Sequence, residues 1–313
     1  MESPDTGPGT WTVTRLLAWT RDYLGRSGVE SPRLCAELLL AHALECDRIR
    51  LYTRHDTVPG QDVLQTFRAS VKQAAAGRPI AYLTGTKEFF SLSFEVTPDV
   101  LIPRPETEVL VERTIELVRN SSGPSCSLLD LGTGSGCIVV SLAKHLPDAQ
   151  LFASDISEPT LQVARRNAER HGALERIEFR AGDLFDAWAP QTAESGEPAA
   201  APPRFDVVVC NPPYVAEADA ASLPIGVREH EPGVALFAGQ DGLSVLHRVI
   251  HEAPHWLNRG GHLLLEVAFN QAAAVRALLD ESVWDAIVTY PDELKHERVV
   301  HARLRDNQRT RTT

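Results

Sequence analysis

The run Ser127-Leu128-Leu129-Asp130-Leu131-Gly132-Thr133-Gly134-Ser135-Gly136-Cys137 decides the fold. Five residues of strand character meet three closely spaced glycines, and an apolar, helix-like stretch follows from Cys137 to Ala143. Strand, glycine loop and helix in that order open an α/β unit. The glycine spacing is G-x-G-x-G, and Cys137 stands where a dinucleotide fingerprint needs its last glycine. That substitution argues against a pyrophosphate cradle. Downstream, Gln150-Leu151-Phe152-Ala153-Ser154 forms a second short strand ending on Asp155. A carboxylate at such a strand end can accept both hydroxyls of a ribose, so the expected ligand is a nucleoside rather than a polyphosphate.

A third strand end carries the most distinctive chemistry. Phe205-Asp206-Val207-Val208-Val209-Cys210 stops on Asn211-Pro212-Pro213-Tyr214. Consecutive prolines fix φ near −65° and remove two backbone donors, which leaves the carbonyls around Asn211 and Pro212 free to accept hydrogen bonds. The turn offers one side-chain amide, two carbonyls and an aromatic face to a planar guest bearing an NH2 group. Either an amide or an exocyclic amine fits. In open α/β sheets ligands bind at the carboxyl edge, so the three strand ends are expected to converge on one crevice. Ala181-Gly182-Asp183-Leu184-Phe185 follows a further strand, with Asp183 placed either to accept from an adenine amino group or to start a turn, and Leu184 able to pack on the ring.

Four motifs in order carry a resemblance: Leu101-Ile102-Pro103-Arg104-Pro105-Glu106-Thr107-Glu108, Asp130 to Gly136, Asn211 to Tyr214, and Glu231-Pro232 followed by Ala235-Leu236. From about Gly77 to Leu304 the chain resembles the HemK/PrmC family. The resemblance implies a Rossmann-like class I methyltransferase fold, a doubly wound sheet with a C-terminal antiparallel strand. It further implies S-adenosylmethionine as cofactor and methylation of the side-chain amide nitrogen of the glutamine in the Gly-Gly-Gln motif of peptide-chain release factors. On this reading Gly132, Thr133, Gly134, Ser135, Gly136, Asp155, Asp183, Leu184 and Asn211 bind cofactor. Asn211, Pro212 and Tyr214 are the catalytic group, with Pro213 completing the substrate slot. The segment Pro103 to Glu108 lies over the cofactor. His230 stands where the family usually shows a tyrosine, and Leu184 where some members carry an aromatic.

Composition narrows the alternatives. A net charge of −11 disfavours a protein whose affinity rests on nucleic-acid phosphates. The Pro-Pro-Tyr slot would equally accept a flipped base, but an N6-adenine or N4-cytosine DNA methyltransferase needs a target-recognition module, and no basic, aromatic-interleaved segment supplies one. A glutamine methyltransferase acting on a ribosomal protein differs from the release-factor reading only through the Pro-Arg-Pro-Glu-Thr-Glu segment. A module that merely binds S-adenosylmethionine would not need Asn211 to Tyr214. Five cysteines without C-x-x-C spacing fit neither a disulfide framework nor a zinc site, so no metal is expected and a reducing cytoplasm suits the chain. Residues 1–10 have no signal-peptide pattern, and no stretch approaches the ~18 apolar residues of a membrane span.

Residues 1–77 read as a small all-α domain, either a folding or solubility element or, as the resemblance implies, one that helps grip the protein substrate, with Leu16, Leu17 and Trp19 in a first helix. Ser31-Pro32 caps a second, and a third runs from Pro59-Gly60 to Gly77. Residues 78–100 read as a β-hairpin linker, and 101–313 as the methyltransferase domain. Strands are expected near 127–131, 150–154, 176–180, 205–210, 261–267, 285–290 and 297–304. Ala187 to Arg204 reads as an aperiodic insertion and Asp306 to Thr313 as a polar tail. Glu231 and Glu266 are expected to orient substrate or a loop, or to serve as ion-pair partners. No catalytic base is assigned.

Overall fold

The computed structural model describes residues 10–121, 125–190 and 201–306. The expectations for residues 1–9, for most of the insertion (191–200) and for the tail (307–313) lie outside the described residues. The chain forms two compact units, one of residues 10–86 with Pro224–His230, the other of residues 87–223 and 231–306.

In the first unit, helices Val13–Arg26, Pro32–Ala43, Arg48–Thr53 and Gln61–Ala75 bury Leu16, Leu24, Leu40, Phe67 and Val71 in one core. The apolar spacing of three and four residues puts these side chains on one stripe of each helix. Gly77, at φ +96°, follows the cap residue Ala76 and closes the Gln61 helix. Three expectations need correction here. Ser31 does not cap with its side chain; it is left-handed at φ 47°, and Pro32 opens the helix with its pre-set backbone. Residues Ile80–Thr84 are helical rather than extended, and Gly85 at φ +71° stops them. Pro224–His230, expected in the large domain, belongs to the helical unit because Gly226 lets the chain approach Gly77; a Cβ there would lie 2.9 Å from the Gly77 carbonyl oxygen.

The hairpin is accordingly short, β1 (Thr86–Phe89) and β2 (Leu92–Glu95), with Phe90 and Ser91 both at positive φ in the turn. Both central residues of a tight hairpin must adopt that conformation to match the twist of the strands. The second unit then builds a seven-stranded sheet from β3 (Ser127–Leu131), β4 (Gln150–Asp155), β5 (Ile177–Ala181), β6 (Phe205–Cys210), β7 (Leu257–Glu266), β8 (Trp284–Pro291) and β9 (Glu297–Leu304). The spatial order is β5-β4-β3-β6-β7-β9-β8. All neighbours from β5 to β7 pair in parallel, whereas β9 runs antiparallel to both β7 and β8. The order reverses between β3 and β6, which is where a doubly wound sheet opens a crevice.

Strand alternation sorts the core into two layers. Leu128, Val207, Val209 and Leu264 face one side, covered by helices Glu108–Asn120 and Cys137–His145. Leu129, Val208, Cys210 and Leu265 face the other, beneath helix Ser244–Trp256. Trp188, expected inside an aperiodic insertion, instead belongs to this second core: it is 1% exposed and packs edge-on against Phe152 and Phe205. Its aromatic area outweighs the polar composition of its neighbours in sequence. Among the described residues no helix is long and apolar enough to cross a membrane.

Candidate active site

The glycine loop follows directly from β3. Gly132, Gly134 and Gly136 all take positive φ, and Gly136 serves as the cap of helix Cys137–His145. At Gly136 the requirement is also one of space, since a Cβ would lie 3.2 Å from both Cα and Cβ of Ala164. The loop is thereby pressed against the neighbouring helix. The Gly134 N–H donates to Asp155 Oδ2 at 3.0 Å, and the Ser157 N–H donates to Oδ1 at 3.0 Å. Burial raises the Asp155 pKa, while those backbone amides pull it back. Beneath the loop, Thr133 donates its hydroxyl to Asp130 Oδ2 at 2.7 Å. Asp130 is fully buried with Oδ1 unpartnered, and burial pushes its pKa up to about 7.

At the end of β6, the Asn211 side-chain nitrogen donates to Thr107 Oγ1 at 3.1 Å. One N–H of the amide is thus engaged, and no hydrogen bond among the described residues uses Asn211 Oδ1 or the Pro212 carbonyl. Behind the prolines the chain is pinned. Gln271 Nε2 donates to the Tyr214 carbonyl at 3.0 Å, and Val215 exchanges hydrogen bonds with Leu236 (2.9 Å) and Ala238 (3.0 Å). Burial, then the nearby Glu266 charge, pushes the Tyr214 phenol up to about 12, so it stays protonated.

These elements line one cleft that opens to solvent. Of the residues singled out from the sequence, Gly132, Thr133, Gly134, Ser135, Asp155, Asp183, Leu184, Asn211 and Pro213 all line it. Gly136, Pro212 and Tyr214 are not among its lining residues: the first packs under the loop, Pro212 is buried, and Tyr214 packs behind the turn. Leu184 is left-handed at φ 50°, a conformation that costs energy in a leucine and clusters at functional sites. One oxygen of Asp183 accepts from Arg248 at 2.9 Å, a partner that sequence reading did not identify.

Two further residues escaped the sequence. Thr107 meets Asn211 across a gap of 104 positions, which no local pattern announces. Arg104 pairs with Glu231 at 2.6 Å, and Glu231 also accepts from the Ile102 N–H at 3.2 Å. Glu231, with its side chain only 1% exposed, therefore anchors the backbone of the Leu101 to Arg104 segment that lines the cleft. Its role is to hold a loop.

A glycine loop after the first strand of the sheet unit, an acidic end on the second, and the order β5-β4-β3-β6-β7-β9-β8 define a class I methyltransferase. Residues 15–85 match the family described as PrmC N-terminal domain, and residues 122–292 match the family described as methyltransferase domain. A release factor glutamine methyltransferase of Rhodopirellula baltica is 41% identical, covering 93% of this chain and 95% of its own. One from Geobacter sulfurreducens is 40% identical over 95% and 98% of the two chains. Among solved structures, the hMettl16 catalytic domain in complex with an RNA hairpin superposes with a TM-score of 0.53 at 17% identity, over 76% of this chain and 83% of that one, which supports the fold alone. The chain belongs to the family of release factor glutamine methyltransferases.

Proposed function

We propose that this protein transfers the methyl group of S-adenosylmethionine to the side-chain amide nitrogen of the glutamine in the Gly-Gly-Gln motif of peptide-chain release factors, in the cytoplasm, as part of translation termination. The observation that carries the reading is the Asn211 amide, whose nitrogen is bound to Thr107 while its oxygen stays uncommitted beside the cleft. The family supplies the acceptor: its members at about 40% identity are named for it.

The residues fit the cofactor. The positive-φ glycine loop leaves the cleft open for a nucleoside, Asp155 keeps lone pairs for ribose hydroxyls, and Leu184 offers an apolar surface to a base. Asp183 retains one oxygen for an exocyclic amine while the other holds Arg248. The bound cofactor supplies an electrophilic methyl carbon on a sulfonium sulfur.

An amide nitrogen is a poor nucleophile because its lone pair is shared with the carbonyl; the barrier to rotation about such a bond, about 18–20 kcal/mol, measures that sharing. Asn211 Oδ1 at the cleft would accept one N–H of the glutamine amide, and the carbonyl of Pro212, whose ring is buried beneath the turn, the other, so that its plane is fixed. Orientation of this kind is worth up to about 7–11 kcal/mol. With the cofactor bound, both oxygens would stabilise the positive charge that methylation places on the amide nitrogen. One amide proton then leaves to water. Pro213 stiffens the turn and Tyr214 backs it. Labelled S-adenosylmethionine incubated separately with a release factor, a ribosomal protein mixture and plasmid DNA tests the reading. Label on the release factor is expected; label on DNA alone overturns it.

A further inference from the structure

The carboxyl edge of the sheet holds a buried acid that the proposed transfer does not use. Glu266 ends β7, is 1% exposed, and leaves Oε2 with no hydrogen-bond partner. The register pairs Cys210 with Leu265, which puts Glu266 level with Asn211 on the adjacent strand. By alternation Glu266 follows Leu264, and Asn211 follows Val209, onto the face covered by helix Glu108–Asn120. Thr107, at the start of that helix, is itself buried and accepts from Asn211 Nδ2 at 3.1 Å, and its hydroxyl is one of the groups that lower the Glu266 pKa. Buried Glu266 and Thr107 and half-buried Asn211 therefore stand together between β7 and the cleft. We propose that Glu266 is a positioning residue for the methyl transfer, acting through Thr107 to fix which end of the Asn211 amide faces the cleft.

The logic is one of hydrogen-bond direction. Thr107 has a single proton. When the Glu266 carboxylate takes it, Thr107 can only accept from Asn211, so the nitrogen of that amide turns inward and Oδ1 turns to the cleft. A protonated Glu266 can itself donate to Thr107. The Thr107 proton is then free for Asn211 Oδ1, and the amide can flip and offer its nitrogen to a substrate that needs an acceptor. Burial pushes Glu266 up to about 7, with the charge of Glu106 adding, while the Thr107 hydroxyl and the charges of Arg298 and Arg104 oppose. Tyr214, Cys137 and Cys210 also feel its charge, and Asp130, likewise raised, lies on the same face two strands away. Ionisation of Glu266, and hence the productive amide, is favoured as pH rises through about 7.

The inference rests on the acceptor role given to Asn211, so each variant is compared with wild type on whichever acceptor wild type labels; a wrong acceptor assignment would then show in wild type and not in the ratio. Single-turnover rates from about pH 6 to 9 are expected to rise through an inflection in wild type. Glu266→Gln is expected to lower the rate about 10–100-fold at high pH, remove that inflection, and leave the cofactor Kd unchanged. Thr107→Val should match it, Thr107→Ser should restore most activity, and Glu266→Gln combined with Thr107→Val should be no slower than either alone. Wild-type rates and pH profile in Glu266→Gln, additive losses in the double variant, or a cofactor Kd weakened in step with the rate would each overturn the proposal. If Glu266→Gln does not fold, the Thr107 pair decides: equal rates for Val and Ser overturn it.

Discussion

Gly136→Ala isolates how much of the cofactor loop depends on contact rather than on backbone conformation. The substitution forces an L-residue to φ +80°, a cost of about 1–2 kcal/mol. It also drives a methyl group to 3.2 Å from the Ala164 Cα, where helix backbone cannot swing away, and such overpacking costs about 1–3 kcal/mol. Together about 2–5 kcal/mol should be lost. Gly134→Ala is the control. Its φ of +59° exacts the same conformational penalty, but the nearest atom to the added Cβ, the Gly132 carbonyl oxygen, is 4.0 Å away. It should lose only about 1–2 kcal/mol. Urea unfolding monitored through the sheet-unit tryptophans compares the two, and cofactor titration follows the same variants. Equal unfolding midpoints for Gly134→Ala and Gly136→Ala would refute the reasoning, because the close approach to Ala164 is present only at Gly136.

Asp155→Ala should weaken cofactor binding about 10–100-fold, the value of hydrogen bonds to a charged acceptor, with titration calorimetry as the readout; unchanged affinity removes Asp155 from the ribose site. Arg104→Met strands the buried Glu231 carboxylate. Because Arg104 is partly exposed, the loss should fall at the low end of about 3–5 kcal/mol, read by denaturation, and a neutral result would show that the Ile102 amide suffices. His301, buried and 2.9 Å from His262, has its pKa lowered to about 4 by burial and then by that neighbour. The unfolded chain, at about 6.5, therefore binds the proton more readily, so stability is full above about 6.5 and falls as pH drops toward 4. His301→Phe should flatten that limb of a stability–pH curve.

The parallel half of the sheet was legible because buried parallel strands read as apolar runs bounded by glycine, acid or proline, as Ser127–Leu131 and Phe205–Cys210 do. The helical reading of residues 11–76 followed from apolar spacing together with proline and glycine stop and start signals. Ile80–Thr84 was misread because five residues are too few to distinguish helix from strand periodicity, and the stop at Gly85 needed its backbone angle to be seen. Trp188 was lost inside a polar, proline-rich neighbourhood although its ring is core. At the site, glycines and prolines announce themselves by what they do to the backbone, whereas Thr107, Arg104 and Arg248 act through contacts made only once the chain has folded. Glu266 lay between these cases: a carboxylate at the end of Leu263-Leu264-Leu265 is visible, but its burial beside Asn211 depends on strand register.

Methyl transfer to the release-factor glutamine by Asn211→Ala, measured beside its cofactor affinity, tests the central claim most directly. The side-chain acceptor would be gone while the glycine loop and Asp155 remain, so transfer should fall at least about 100-fold, well beyond any change in cofactor Kd. Wild-type turnover by Asn211→Ala would contradict the account, since the turn at the end of β6 would then not be what holds the amide.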